Sequence, residues 1–173
     1  MLRFRIVPDR SHVWIEAHSS LHPMASRADG LAGFVDLEVS DDGRLAARSD
    51  CDGPAGRLSL PVERLRSGNR FEDRELHRRI DAHRYPTIDG ELDSLEPDRE
   101  DRRYRVRGDV VFHGVRRTYE SDMTAEVDGD IVHLAGGATF DVRDFGVEPP
   151  RVLVLRVEPH VAVRVHIVAE KEA

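Results

Sequence analysis

The stretch from Arg102 to Met123 constrains the fold of this chain more than any other. Tyr104, Val106, Gly108, Val110 and Phe112 share one parity, while Arg103, Arg105, Arg107 and Asp109 hold the other. Strict alternation puts one face against a core and the other in water, the pattern of a half-buried β-strand. His113-Gly114-Val115-Arg116-Arg117 then turns the chain before a second alternating run. A long strand, a glycine-centred turn and a return strand make the building unit of an antiparallel barrel. Small barrels of this kind either fill with side chains or enclose one ligand.

The remainder of the sequence agrees with a barrel. At 173 residues the chain suits one domain with a real core, so residues 1–173 are read as a single unit. Strand candidates fall at about 3–7, 12–18, 31–39, 45–51, 57–63, 87–95, 103–113, 117–127, 131–135, 138–143 and 160–169. Turn residues separate them, notably Pro8-Asp9, Asp41-Asp42-Gly43, Glu96-Pro97-Asp98 and the hairpin signal Asp128-Gly129. Adjacent, hairpin-linked strands pair antiparallel, and closure into a barrel removes their exposed edges. One segment, near residues 70–83, reads as a short α-helix lying on a barrel mouth. Asn69 and Glu72 offer a capping box, acids precede bases at helical spacing, and Pro86 ends the segment.

Composition narrows the function classes. Hydrophobic residues make up 39% and charged residues 34%, so the core is lean; aromatics are only 6%, so it is built of Val, Leu and Ile. A net charge of -7 argues against a nucleic-acid partner, which needs a basic surface. The sole lysine, Lys171, leaves no interior amine for Schiff-base chemistry. The sole cysteine, Cys51, can form no intrachain disulfide, and Asp50 and Asp52 beside it are the wrong setting for a thiolate nucleophile. The N-terminus carries no apolar signal core, and no segment is long and apolar enough to span a bilayer. The expectation is a soluble, cytoplasmic protein without stable membrane insertion.

No catalytic constellation stands out. There is no Gly-x-Ser-x-Gly elbow, dinucleotide fingerprint or P-loop. His12 and His18 share strand parity with Trp14 and Glu16, but the opposite parity, Val13, Ile15 and Ala17, is apolar. That turns the histidines to solvent, so no metal site and no cofactor are expected. His77 and His83 lie six residues apart around the helix end and share no face. The apolar strand faces are the remaining resource, and periodicity alone reads them as core. The inward set comprises Val13, Ile15, Val35, Leu37, Leu58, Leu60, Val62, Ile88, Val106, Val110, Phe112, Phe140, Val163, Val165 and Ile167.

An ordered series of short motifs runs along the chain: Arg10-Ser11-His12-Val13 with Ile15 and His18, then Leu31-Ala32-Gly33-Phe34. Gly68-Asn69, Glu72-Asp73, Glu75-Leu76-His77 and Tyr85-Pro86-Thr87-Ile88 follow. Tyr104 to Val110, His113-Gly114-Val115 and Arg143-Asp144-Phe145-Gly146-Val147 complete it. In this order the series resembles the YceI-like family of lipocalin-like, polyisoprenoid-binding barrels. The pieces are similar to the family's opening strand, with Arg10 where a histidine is usual, to the start of its next strand, to its helix and helix exit, and to its long hairpin and closing segment. The segment from Leu76 to Tyr85 is about two residues short of the family pattern. It carries Arg78, Arg79 and Asp81 where bulky apolar residues are common, and Glu148 to Arg151 forms a Pro-rich loop.

The resemblance implies an all-β, antiparallel barrel of about eight strands and no general catalytic activity. Its interior would bind an isoprenoid or fatty-acid-like lipid, such as an isoprenoid quinone or polyprenyl lipid. A homodimer is a further implication. The expected wall is Val13, Ile15, Leu60, Phe71, Leu76, Ile80, Ile88, Val106, Val110, Phe112, Phe140 and Phe145, with Arg78, Arg79 and Arg143 for a polar head. A closed, ligand-free barrel acting as an interaction or stress-response module is the alternative. A hydrolase using a histidine at the mouth is the third reading.

Overall fold

The computed structural model describes residues 1–50, 53–100, 102–149, 151–152 and 155–172. Cys51 lies outside the described residues, as does part of the segment around 148–155. In chain order the elements are β1 (Leu2–Ile6), β2 (His12–Ser19), β3 (Pro23–Asp29), β4 (Ala32–Val39), β5 (Leu45–Arg48) and β6 (Gly56–Pro61). The helix α1 (Arg70–Arg79) follows, then β7 (Thr87–Pro97), β8 (Arg103–Phe112), β9 (Val115–Asp128), β10 (Ile131–Asp141), β11 (Arg151–Val152) and β12 (Leu155–Lys171).

The strands close into a ring. β1 pairs with β4, β4 with β6, and β6 with β7. β8, β9 and β10 follow by hairpins, β10 pairs with β12, and β12 returns to β1. These eight staves are all antiparallel, and the fold is a lipocalin-like barrel. β5 bridges β4 and β7 beside β6, while β2 and β3 extend the wall along the first half of β12. Ser11 marks the junction of β1 and β2. It is fully buried, and its Oγ takes the Val168 N–H at 3.0 Å while donating to the Val168 carbonyl at 3.3 Å.

The alternation that predicted β8 is what the strand shows. Tyr104 is buried, and Arg103, Arg105 and Arg107 are exposed. The turn after it contains only His113 and Gly114, with φ of 50° and 74°. Two left-handed residues match the twist of a tight hairpin. Glycine is required at 114 for a second reason: a Cβ there would lie 2.7 Å from Cε1 of Tyr85. The Tyr85 ring packs on His113 with centroids 4.7 Å apart, and His113 Nδ1–H donates to the Phe145 carbonyl at 3.1 Å. The helix exit, the hairpin and the Arg143-Asp144-Phe145 segment are thus tied at one point.

Gly108 answers a different demand. The β7–β8 register shifts between Leu92↔Gly108 and Ser94↔Arg107, leaving Asp93 as a bulge. The β7 backbone comes so close that a Cβ on Gly108 would sit 2.4 Å from the Glu91 carbonyl oxygen. The mid-strand glycine therefore admits a bend.

Three elements differ from the sequence expectation. Pro23–Asp29 is a strand, β3, although its Pro, Ala, Ser and Arg residues carry little β-propensity; pairing with β2 supplies the order instead. The candidates 131–135 and 138–143 are one strand, β10, running through Gly136-Gly137. The helix ends at Arg79, four residues before position 83. Asp81 adopts a left-handed φ of 47°. Its N–H donates to the Arg78 carbonyl at 3.2 Å, and the Ala82 N–H to the His77 carbonyl at 3.0 Å. That pair of bonds is a Schellman stop, for which the sequence offers no glycine.

The interior divides into two halves. At the end formed by the start of β8 and the end of β9, Phe4, Leu37, Leu45, Leu95, Tyr104 and Val132 pack to near-complete burial. Tyr104 Oη accepts the Leu45 N–H at 3.2 Å, which satisfies the ring's polar tip inside this plug. The other half, towards Phe112, Phe140 and α1, is hollow.

Candidate ligand cavity

The hollow half holds a cavity of about 760 Å³, within the range of small-molecule sites. Its wall draws on most staves of the barrel because every strand sends alternate side chains inward. All twelve apolar residues expected there line it: Val13, Ile15, Leu60, Phe71, Leu76, Ile80, Ile88, Val106, Val110, Phe112, Phe140 and Phe145. Leu60, Ile80 and Phe145 are nearly inaccessible to solvent, whereas Phe71 is 81% exposed. An exposed phenylalanine that also lines a cavity stands at its mouth. Phe112, Phe140, Phe145 and Tyr119 form an aromatic corner, with the Tyr119 ring 4.6 Å from Phe140 and 6.2 Å from Phe145. The Tyr119 hydroxyl is buried without a hydrogen-bond partner among the described residues, and burial raises its pKa.

Sequence reasoning missed several wall residues. Met24 and Ser26 line the cavity from β3, the strand without a propensity signal, and Met123, Val142 and Val157 join them. Met123 was legible in the alternation of β9. Met24 carried no such signal, because its strand is specified by its neighbour.

The three guanidiniums expected near a polar head do not converge. Arg79 lines the cavity, and its Nε donates to Glu75 Oε1 at 2.7 Å. Arg78 is outside the lining, is 72% exposed, and grips the same carboxylate with Nη2 at 2.8 Å. These two arginines, Arg78 foremost, hold the Glu75 carboxyl below its usual pKa. Arg143 also lies outside the lining and forks onto Asp141 at 2.6 Å and 2.9 Å. That pair brings the Asp141 pKa down to about 2.

The histidines are dispersed. His12 faces outward, its Nδ1 2.7 Å from Asp29 Oδ1, while Val13, Ile15 and Ala17 turn into the cavity as their parity requires. His77 Nε2–H donates to the Leu65 carbonyl at 3.3 Å. His22 is the one histidine among the described lining residues; it is exposed, and its Nδ1–H donates to the Pro23 carbonyl at 3.2 Å. Among the described residues no group of three His, Cys, Asp or Glu could hold a metal ion. No helix among them is long and apolar enough to cross a membrane.

Comparison with known proteins bears on this geometry. The family description "YceI-like domain" matches residues 4–169. No curated protein matches the chain in sequence. Among solved structures, BcnA of Burkholderia cenocepacia superposes with a TM-score of 0.75 at 14% identity, over 94% of this chain and 98% of its own. A polyisoprenoid binding domain from Saccharophagus degradans, implicated in plant cell wall breakdown, also gives 0.75, at 12% identity over 99% and 100%. The YCEI protein of Campylobacter jejuni gives 0.56 at 12% identity over 80% and 85%.

Proposed function

The chain belongs to the YceI-like family, and from that premise we propose that it is a non-catalytic binding domain for a long apolar or amphiphilic chain, such as an isoprenoid quinone or polyprenyl lipid. The observation that carries this reading is the hollow itself, about 760 Å³ walled by aliphatic and aromatic side chains above a fully packed plug. The polyisoprenoid binding domain among its structural relatives supports the same ligand class. The twelve apolar wall residues are assigned to the chain of the ligand. Arg79 is assigned to its polar end, since a guanidinium paired with Glu75 still has N–H groups to donate. Arg78 and Arg143 stand outside the cavity and take no part in this assignment.

Affinity would come from removing methylenes from water, about 0.8 kcal/mol each. Binding should therefore strengthen with chain length until the hollow is full and then level off. Calorimetric titration with isoprenoid alcohols of increasing length measures this. Val163→Phe, which fills the middle of the wall, should weaken binding by roughly tenfold or more, because each expelled methylene forfeits its transfer energy. Melting temperature should hold, as the added ring enters space that is already empty. Undiminished binding by this variant would place the ligand elsewhere.

A further inference from the structure

The rim of the cavity uses its arginines differently from the outer wall. On the wall they are matched with carboxylates: Arg3 with Asp36, Arg107 with Glu120, Arg116 with Glu91 and Asp109, and Arg164 with Glu16. On α1, which borders the mouth, the pattern breaks. Its exposed residues are Arg70, Phe71, Arg74 and Arg78. At 3.6 residues per turn they share one arc of about 100°. Arg70 and Arg74 have no ion pair among the described residues, and Arg78, though bonded to Glu75, is 72% exposed. Arg70 is also the first helical residue, at the positive end of the dipole, where a cation is unfavourable. Helix stability does not account for it.

The carboxylates of α1 lie off this arc, half-buried and engaged. Glu72 accepts from Asn69 Nδ2, Asp73 from the Ser67 N–H and hydroxyl, and Glu75 from Arg78 and Arg79. Glu148 and Glu158 are exposed, but they belong to the segment after Phe145 and to β12, where Arg156 is exposed as well. The polar part of the α1 arc is wholly cationic, on a chain whose net charge is -7.

The same rim carries the two most exposed large hydrophobic side chains among the described residues, Phe71 at 81% and Leu21 at 69%. Phe71 lines the cavity. Leu21 stands in the turn between β2 and β3, next to His22, which lines it too. That turn is fastened to β12, its Ser20 N–H donating to the Arg156 carbonyl at 2.9 Å.

We infer that this rim docks the protein on the surface of an anionic bilayer, with the guanidiniums of the α1 arc on lipid phosphates and Phe71 and Leu21 in the interfacial layer. The choice of a bilayer over an acidic protein rests on the chain-binding reading above: a long apolar chain leaving a leaflet passes Phe71 into the hollow without crossing water.

The purified protein, sedimented with phosphatidylcholine vesicles with and without about 30 mol% phosphatidylglycerol, tests this. The anionic vesicles should carry down severalfold more protein at low salt, with the excess shrinking as salt rises. The double variant Arg70→Glu, Arg74→Glu reverses two exposed charges and should weaken binding to anionic vesicles by about tenfold or more. Its calorimetric titration with geranylgeraniol should match that of the wild type, which reports an intact fold and cavity. Leu21→Ser should weaken vesicle binding severalfold through lost apolar contact. Equal sedimentation with both vesicle types, or undiminished binding by the double variant, overturns docking through this rim. No sedimentation with either, while geranylgeraniol still binds, overturns it in favour of an acidic protein partner. Arginine-dependent vesicle binding without geranylgeraniol binding upholds the docking and removes the chain-binding reading.

Discussion

The two halves of this barrel are made by the same strands yet differ in what fills them. Along β8, Tyr104 lies in the plug and Val110 and Phe112 lie in the hollow wall, six to eight residues further along the same inward parity. The plug is closed by large side chains that reach across the axis from β1, β4, β5 and β10. The hollow half has shorter or absent side chains at inward positions, among them Gly90, Gly136 and Ala138. Periodicity is identical in the two halves, so residue size, not pattern, decides which part of a barrel is solid.

That contrast can be tested by truncation. Leu37→Ala in the plug should cost about 2–5 kcal/mol of unfolding free energy, since it opens a void in close-packed surroundings. Val110→Ala on the hollow wall should cost under about 1 kcal/mol, because its inner face already lacks packing partners. It should weaken ligand binding instead. Denaturant melts and a binding titration on both variants decide the matter; equal stability losses would break the division.

Ser11→Ala sits at neither end and should fall between, at about 1–3 kcal/mol. It leaves the Val168 N–H without its buried side-chain acceptor. Its effect should be confined to the β1–β2–β12 seam, visible as faster amide exchange around Val168.

The smallest effect belongs to the outer wall. His166 is held below its ordinary pKa, first by burial and then by His133 and His12, with His133 stacked 5.9 Å away. The folded state therefore binds fewer protons than the unfolded one below the usual histidine range. Stability is fully present above about pH 6.5 and declines as pH falls below it. His133→Gln should flatten that decline. Denaturation midpoints between neutral and mildly acidic pH measure it, and neither the plug nor the hollow should respond.

The sequence showed the staves and most of the wall, because alternation reports which side chains face inward. It did not show that the inward positions split into plug and hollow, since that depends on which residues meet across the axis. β3 was hidden because its order comes from pairing with β2, and the helix end because an aspartate does what glycine usually does. The Glu75–Arg79 pair was legible in its i,i+4 spacing. Nothing in Arg78 or Arg143 tells which carboxylate each will find.

The ring is sealed by its most distant partners. β1 finds β12 through Phe4↔Lys171 and Ile6↔Ala169, so β1 cannot complete its ladder until β12 exists. On the ribosome β1 waits, with Phe4 and one edge unpaired, until β12 has been made. Such non-local closure is slow. The same interval leaves the hollow with an open side, so a guest present at the birth of the chain meets a trough before it meets a tunnel.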